Sequence, residues 1–102
     1  MQSKSPQEVL RESVGQALSA SLGRNEARAV EFYVDSSIVA VNPGLYARSL
    51  ARIFGSGADV LLNAIIKKIC ENVGLESSGI DTLEACVARA RSKWGTQLAP
   101  AG

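Results

Sequence analysis

The sequence contains no histidine, and this absence excludes several kinds of functional site. Histidine is the commonest general base and the commonest metal ligand in proteins. One copy of the chain therefore cannot build a Ser-His-Asp or Cys-His catalytic site. The two cysteines, Cys70 and Cys86, are not spaced as a CxxC pair and cannot by themselves complete a tetrahedral zinc site. We therefore expect a non-catalytic protein without metal or cofactor.

Net charge and long apolar runs are also scarce. The chain has 11 Lys and Arg against 10 Asp and Glu, so its net charge of +1 gives no overall attraction to nucleic acid or anionic membranes. The most apolar stretch, residues 60–66, is interrupted by Asn63 and is far shorter than the ~20 residues of a membrane span. No secretory signal pattern opens the chain. These features predict a cytoplasmic protein that binds no membrane, with both cysteines as thiols. A disulfide between Cys70 and Cys86 on adjacent helices is the alternative, favoured only if the protein comes from a hyperthermophile.

What the sequence does contain is a series of helix signals. Ser5 and Glu8 form a capping box around Pro6, and Gly23 ends the helix that follows. Asn25 is the expected cap of a second helix reaching about residue 37. Residues 30–41 are rich in β-favouring side chains, so a short hairpin is the alternative there.

The second half of the chain predicts three more helices. Asn42 and Pro43 start one, and glycines at 55 and 57 separate it from a helix over residues 58–73. Asp81 is the expected cap of the last helix, Gly95 its end, and residues 96–102 a frayed tail. The polar residues of helix 58–73 form one narrow row: Asp59, Asn63, Lys67 and Glu71. A helix that exposes only one narrow row of polar residues to solvent is surrounded by protein on its other sides. The sequence thus predicts a single all-α domain, a compact bundle of four to five helices around helix 58–73.

Two candidate sites for anions follow from the sequence. A modest basic face could contact the phosphates of a nucleic acid through Arg48, Arg52, Lys67, Lys68, Arg89 and Lys93. The segment Gly55, Ser56, Gly57 and Ala58 precedes a helix, where backbone amides can hold an anion. Asp59 follows and repels an anion, so a plain turn is the favoured interpretation of this segment.

Association is the stronger functional inference. Helix 58–73 carries more apolar surface than a small domain readily covers, and aromatic residues are enriched at protein interfaces. Phe32, Tyr33, Tyr46 and Trp94 supply such aromatic area, and Tyr33, Tyr46 and Trp94 are the candidate interface residues. Twofold dimers are the commonest assembly, so a homodimer is favoured over a monomer.

The segment from Asn42 onward also resembles a pattern in small uncharacterised archaeal all-helical proteins. The matching residues are caps, core positions and a glycine turn: Asn42 to Tyr46, Leu50, Ile53 to Gly55, Gly57, Ala58, Leu61, Leu62, Ile65 and Ile66. The resemblance implies an archaeal cytoplasmic protein and brings no activity, cofactor or site residue with it.

Two hypotheses of function remain. The first is a non-catalytic protein-interaction module that self-associates or serves as a small subunit of a larger assembly. The second is a nucleic-acid-associated protein that binds backbone phosphates through the six basic residues above.

Overall fold

A computed structural model describes the backbone of residues 5–98 and the side chains of residues 5–94. This part of the chain is an all-α bundle, as predicted, and contains no strand, so the hairpin alternative for residues 30–41 is wrong. The helices are α1 (Pro6–Leu22), α2 (Arg24–Tyr33), the short α3 (Ile38–Val41), α4 (Pro43–Phe54), α5 (Ala58–Val73) and α6 (Leu83–Leu98), with a 3-10 turn at Gly55–Gly57.

Helix α5 lies at the centre of the bundle, as its sequence predicts. It packs on α1, α4 and α6, while α2 covers α1, and α3 bridges α1 and α4. Its inner side, including Ile65 and Ile69, is fully buried against apolar side chains of the neighbouring helices. The predicted polar row is exposed along its whole length. Val60 is apolar and lies outside the polar row, yet it is 69% exposed, so the solvent-exposed side of α5 is wider than that row.

Three predicted helix ends are confirmed. The Ser5 hydroxyl accepts the Glu8 amide and the Ser5 amide donates to the Glu8 carboxylate, which completes the capping box. The Asn42 side chain accepts the amide of Leu45 at 3.1 Å, with Pro43 in the first helical position. Gly74 ends α5 with φ +82°, a left-handed conformation that glycine adopts without strain.

Four predicted boundaries are wrong. Helix α2 begins at Arg24, because Gly23 serves as the end of α1 and the start of α2 at once. It also ends at Tyr33, where Val34 adopts extended backbone. The cap of α6 is Thr82, whose hydroxyl accepts the Ala85 amide, and not Asp81. Helix α6 continues through Gly95 to Leu98, since a glycine ends a helix only where the backbone turns out of it. Residues 96–98 of the predicted frayed tail are thus helical, and 99–102 lie outside the described residues.

The turn at Gly55–Gly57 folds α4 back along α5. Gly55 has φ +59° and ψ −131°, and residues of both helices meet in one cleft further along. By length and composition alone, residues Pro43–Val73 together are long and apolar enough to cross a membrane. The core helix of a soluble protein can have the same length and composition. Residues Pro43–Val73 do not form one continuous helix, and the 16 residues of α5 extend only about 24 Å, against a hydrocarbon thickness of ~30 Å.

Candidate interaction surface

An apolar groove of about 200 Å³ lies between α2 and the end of α4. We call it the α2–α4 groove. Its walls are almost entirely hydrophobic, and Glu26 is the one charged residue that lines it. The lining residues are Leu22, Glu26, Ala29, Val30, Tyr33, Ile53 and Phe54. Tyr33 and Ile53 are exposed, so the groove opens to solvent rather than being part of the closed core.

Two adjacent aromatic rings project beside this groove. Phe32 is 89% exposed and Tyr33 is 78% exposed. Their rings meet edge to face, with centroids 6.1 Å apart and an interplanar angle of 86°. This geometry suits the quadrupoles of two aromatic rings and keeps them at the surface as one unit.

The exposed hydrophobic side chains are concentrated in one part of the chain. Among the side chains that the structure describes, six large hydrophobic ones are exposed, and five of them belong to α2, α3 and α4. Those five are Phe32, Tyr33, Val41, Leu45 and Ile53. Single exposed apolar residues are normal on a soluble domain, so the candidate surface is limited to Tyr33 and Ile53, which line the α2–α4 groove, and to Phe32, whose ring contacts that of Tyr33.

The structure separates the three candidate interface residues. Tyr33 lies in the α2–α4 groove. Trp94 is half-buried and lines a different cleft, with Pro6 and Ala40. The expectation for Tyr46 is wrong, because its side chain has no exposed surface and packs inside the bundle. Tyr46 faces inward on the same side of α4 as Leu50, one turn further on.

The buried Tyr46 has an unusual environment. Its hydroxyl oxygen makes no hydrogen bond to any described residue. Burial, and to a lesser degree the nearby Glu31 carboxylate, hold the pKa of Tyr46 well above its ordinary value, because both disfavour the phenolate. The Glu31 carboxylate itself accepts a hydrogen bond of 2.9 Å from the buried Ser36 hydroxyl. Tyr46 is therefore a core residue with an unpaired polar atom.

The six basic candidates do not form one cluster. Arg48 lines a cleft of about 520 Å³ with Asp59, Asp81 and Glu84, near the start of α5. Lys93 lies at the other end of α5 and donates a 2.7 Å hydrogen bond to the Gly74 carbonyl. At 1.5 Å per residue, these two ends are on the order of 20 Å apart.

The remaining four basic candidates differ in their contacts and exposure. Lys68 forms an ion pair of 3.1 Å with Glu71 on the same helix. Arg52, Lys67 and Arg89 are exposed on α4, α5 and α6 respectively. The Glu71 carboxylate thus offsets the charge of Lys68, whereas Lys93 keeps its charge and is held at the end of α5 by its hydrogen bond to a carbonyl.

The segment Gly55 to Ala58 is a turn in which two backbone amides already donate hydrogen bonds within the chain. The Gly55 amide donates to the carbonyl of Ala51, and the Ala58 amide donates to the carbonyl of Gly55. The Ala58 side chain is buried. With these donors engaged and Asp59 beside them, the geometry fits the favoured interpretation as a turn and gives no support to an anion site at Gly55, Ser56, Gly57 and Ala58.

Sequence reasoning missed most of the groove. Helical spacing predicts Ile53 and Phe54 on the buried side of α4 with Tyr46 and Leu50, yet Ile53 is 44% exposed and Phe54 only partly buried. One signal was available: Phe32 and Tyr33 are consecutive in a helix, where neighbouring side chains point about 100° apart. Two such side chains do not both fit on the one buried face of a helix whose outer side is mostly polar. At least one of the two rings is therefore expected at the surface.

A scan against protein-family models, a search of curated proteins and a search of solved structures found no match to this chain. The resemblance to archaeal helical proteins stays a prediction.

Proposed function

We propose that this protein is a non-catalytic interaction module that self-associates through the α2–α4 groove and its aromatic pair. The observation that carries the proposal is the near-complete exposure of Phe32 and Tyr33 beside an apolar groove. Aromatic residues anchor protein interfaces because each buries a large, rigid apolar area at a small cost in side-chain entropy.

The exposed area is appropriate for a dimer. Phe and Tyr side chains bury about 150–250 Å² each, so this pair alone contributes roughly 300 Å². Each partner in a standard interface buries ~800 Å², and Leu22, Ile53 and Phe54 add apolar surface within the groove. The aromatic pair of one copy supplies projecting rings and the groove supplies a recess, which are the two complementary parts that a twofold contact needs.

Charge at the edge of the groove is also compatible with a second copy. Glu26 lines the groove on α2, and Arg52 precedes Ile53 on α4. In a twofold contact that brings α2 of one copy toward α4 of the other, the Glu26 carboxylate and the exposed Arg52 guanidinium have the opposite charges that attract.

Light scattering over a micromolar concentration range tests the proposal. We expect a dimer of the 10.7 kDa chain that dissociates on dilution. Tyr33→Ser and Phe32→Ser each remove an exposed ring, and we expect at least a 10-fold weaker dimer with unchanged helix content. Val60→Ser is the matched control, because Val60 is also exposed, at 69%, but lies on α5 and does not line the groove. A monomer at every concentration, or equal weakening by Val60→Ser, would overturn the proposal.

Nucleic-acid binding is the alternative proposal, carried by the exposed Arg52, Lys67 and Arg89. An electrophoretic shift with DNA or RNA at ~150 mM salt that weakens steeply as salt increases would support it. No shift, together with a stable dimer, would support the interaction module instead.

A further inference from the structure

The two cysteines of the chain lie together in the core, at the contact between α5 and α6. Cys70 on α5 is 3% exposed and Cys86 on α6 has no exposed surface; both are free thiols. The Cys86 Sγ atom lies 3.9 Å from the carbonyl oxygen of Ile66. In an α-helix that carbonyl is paired with the amide four residues later, which belongs to Cys70. The Cys86 sulfur is therefore beside the helical turn that carries Cys70.

The electrostatics of Cys86 agree with this placement. Its pKa is raised to about 12, mainly by burial and further by the neighbouring Cys70. Both side chains are buried at the same turn of the α5–α6 contact, because the Cys86 sulfur lies against the carbonyl that pairs with the Cys70 amide. A disulfide forms only between cysteines whose Cβ atoms are close and point toward one another, and two neighbouring side chains at one helix contact are the kind of pair that can meet this condition.

We propose that Cys70 and Cys86 form an intramolecular disulfide when the chain meets a small-molecule disulfide, and that this bond locks α6 onto α5. The reaction is thiol–disulfide exchange. One cysteine thiolate attacks a sulfur of the external disulfide, which releases one external thiol and leaves a mixed disulfide. The second cysteine thiolate then attacks the mixed disulfide and releases the other external thiol. Two protein thiols are oxidised, one external disulfide is reduced to two thiols, and the two cysteine protons end on those thiols.

Burial determines when the exchange takes place. The thiolate is the nucleophile, and a buried thiol with a raised pKa is protonated at neutral pH. The folded protein therefore reacts slowly, through transient opening of α6, whereas an unfolded or newly made chain reacts freely. The bond then forms as the helices pack. Whether a folded chain contains it therefore depends on the redox conditions during folding.

Refolding of the full chain in a glutathione redox buffer tests the proposal. We expect an intact mass lower by two hydrogen atoms, monomeric migration without reductant, and a Tm increase of roughly 10 °C over the reduced chain. Cys70→Ala and Cys86→Ala are the controls; each should refold with the same helix content and show no such Tm difference between buffers.

Three results would overturn the proposal. The first is a refolded chain whose two thiols stay free or carry separate glutathione adducts. The second is cross-linking only between chains. The third is a chain that contains the internal disulfide but melts at a lower temperature than the reduced chain, which would show that the bond strains the helix contact.

Discussion

The buried hydroxyl of Tyr46 leads to a prediction with an unusual sign: its removal should stabilise the protein. The ring is fully buried, and the oxygen has no hydrogen-bond partner among the described residues. A buried polar group without a partner costs about 1–3 kcal/mol of stability. In Tyr46→Phe that cost is removed, while the space left by one oxygen atom costs up to ~1 kcal/mol in lost packing. We therefore expect Tyr46→Phe to raise the free energy of unfolding by about 1 kcal/mol.

Urea unfolding followed by circular dichroism measures this change at one fixed protein concentration. Tyr33→Phe is the matched control at a concentration that keeps the chain monomeric, because there Tyr33 is 78% exposed and its hydroxyl is accessible to water, so the stability should change by less than ~0.5 kcal/mol. Tyr46→Ala removes the whole ring and should cost about 3–5 kcal/mol. If Tyr46→Phe instead lowered stability by 1 kcal/mol or more, the hydroxyl would have a partner, with the neighbouring Glu31 carboxylate as the first candidate, and the reasoning would be refuted.

Three further predictions concern the helix contacts. Gly44→Ala places a Cβ 2.7 Å from a carboxylate oxygen at the end of the exposed, flexible Glu84 side chain, which must move aside. We therefore expect calorimetry to show a smaller gain in stability than the ~0.5–1 kcal/mol that the same change should give in the Glu84→Ala background, and an equal gain in both backgrounds would contradict the steric reason. Asn72→Ala removes the hydrogen bonds from its side-chain amide to Ser13 and Gln16, at 2.8 and 3.1 Å, and should cost about 1–2 kcal/mol in urea unfolding; a neutral result would mean that water replaces them. Burial raises the pKa of Cys86 from 9.0 to about 12, so folding keeps a proton that the unfolded chain releases, and this contribution to stability is complete below pH 9 and is lost as pH rises toward 12. An alkaline unfolding curve should therefore be flatter for Cys86→Ala than for the original chain, and identical pH dependence would exclude Cys86 as a cause.

Local signals in the sequence predicted the fold well, because a helix cap depends on only a few neighbouring residues. Ser5 with Glu8, Asn42 with Pro43, and Gly74 each act within one turn, so spacing alone was sufficient. Errors occurred where two neighbouring residues could each serve as a boundary. Thr82 rather than Asp81 caps α6, a difference that depends on how the preceding loop enters the helix.

The candidate surface was harder to predict because burial depends on tertiary packing. Ile53 and Tyr46 both belong to the apolar set of α4, yet one is exposed and the other fully buried. Which of them faces the core is decided by the placement of α3, α5 and α6 around α4, and periodicity within α4 does not contain that information. The sequence allowed Cys70 and Cys86 to meet across adjacent helices, but that they do lie at one helical turn depends on how α6 packs against α5.

The packing of α1 against α5 has a consequence for how the chain folds during synthesis. Asn72 on α5 bonds to Ser13 on α1, a residue 59 positions earlier, and the apolar side of α1 is buried largely against the central helix. Ribosomes add about 5–20 residues per second, so α1 emerges several seconds before its main partner exists. During that interval its apolar side is covered by little besides α2. The nascent chain therefore reaches its stable core only after α5 has emerged, and a truncated product that stops at the glycine turn would present the uncovered side of α1 to chaperones and proteases.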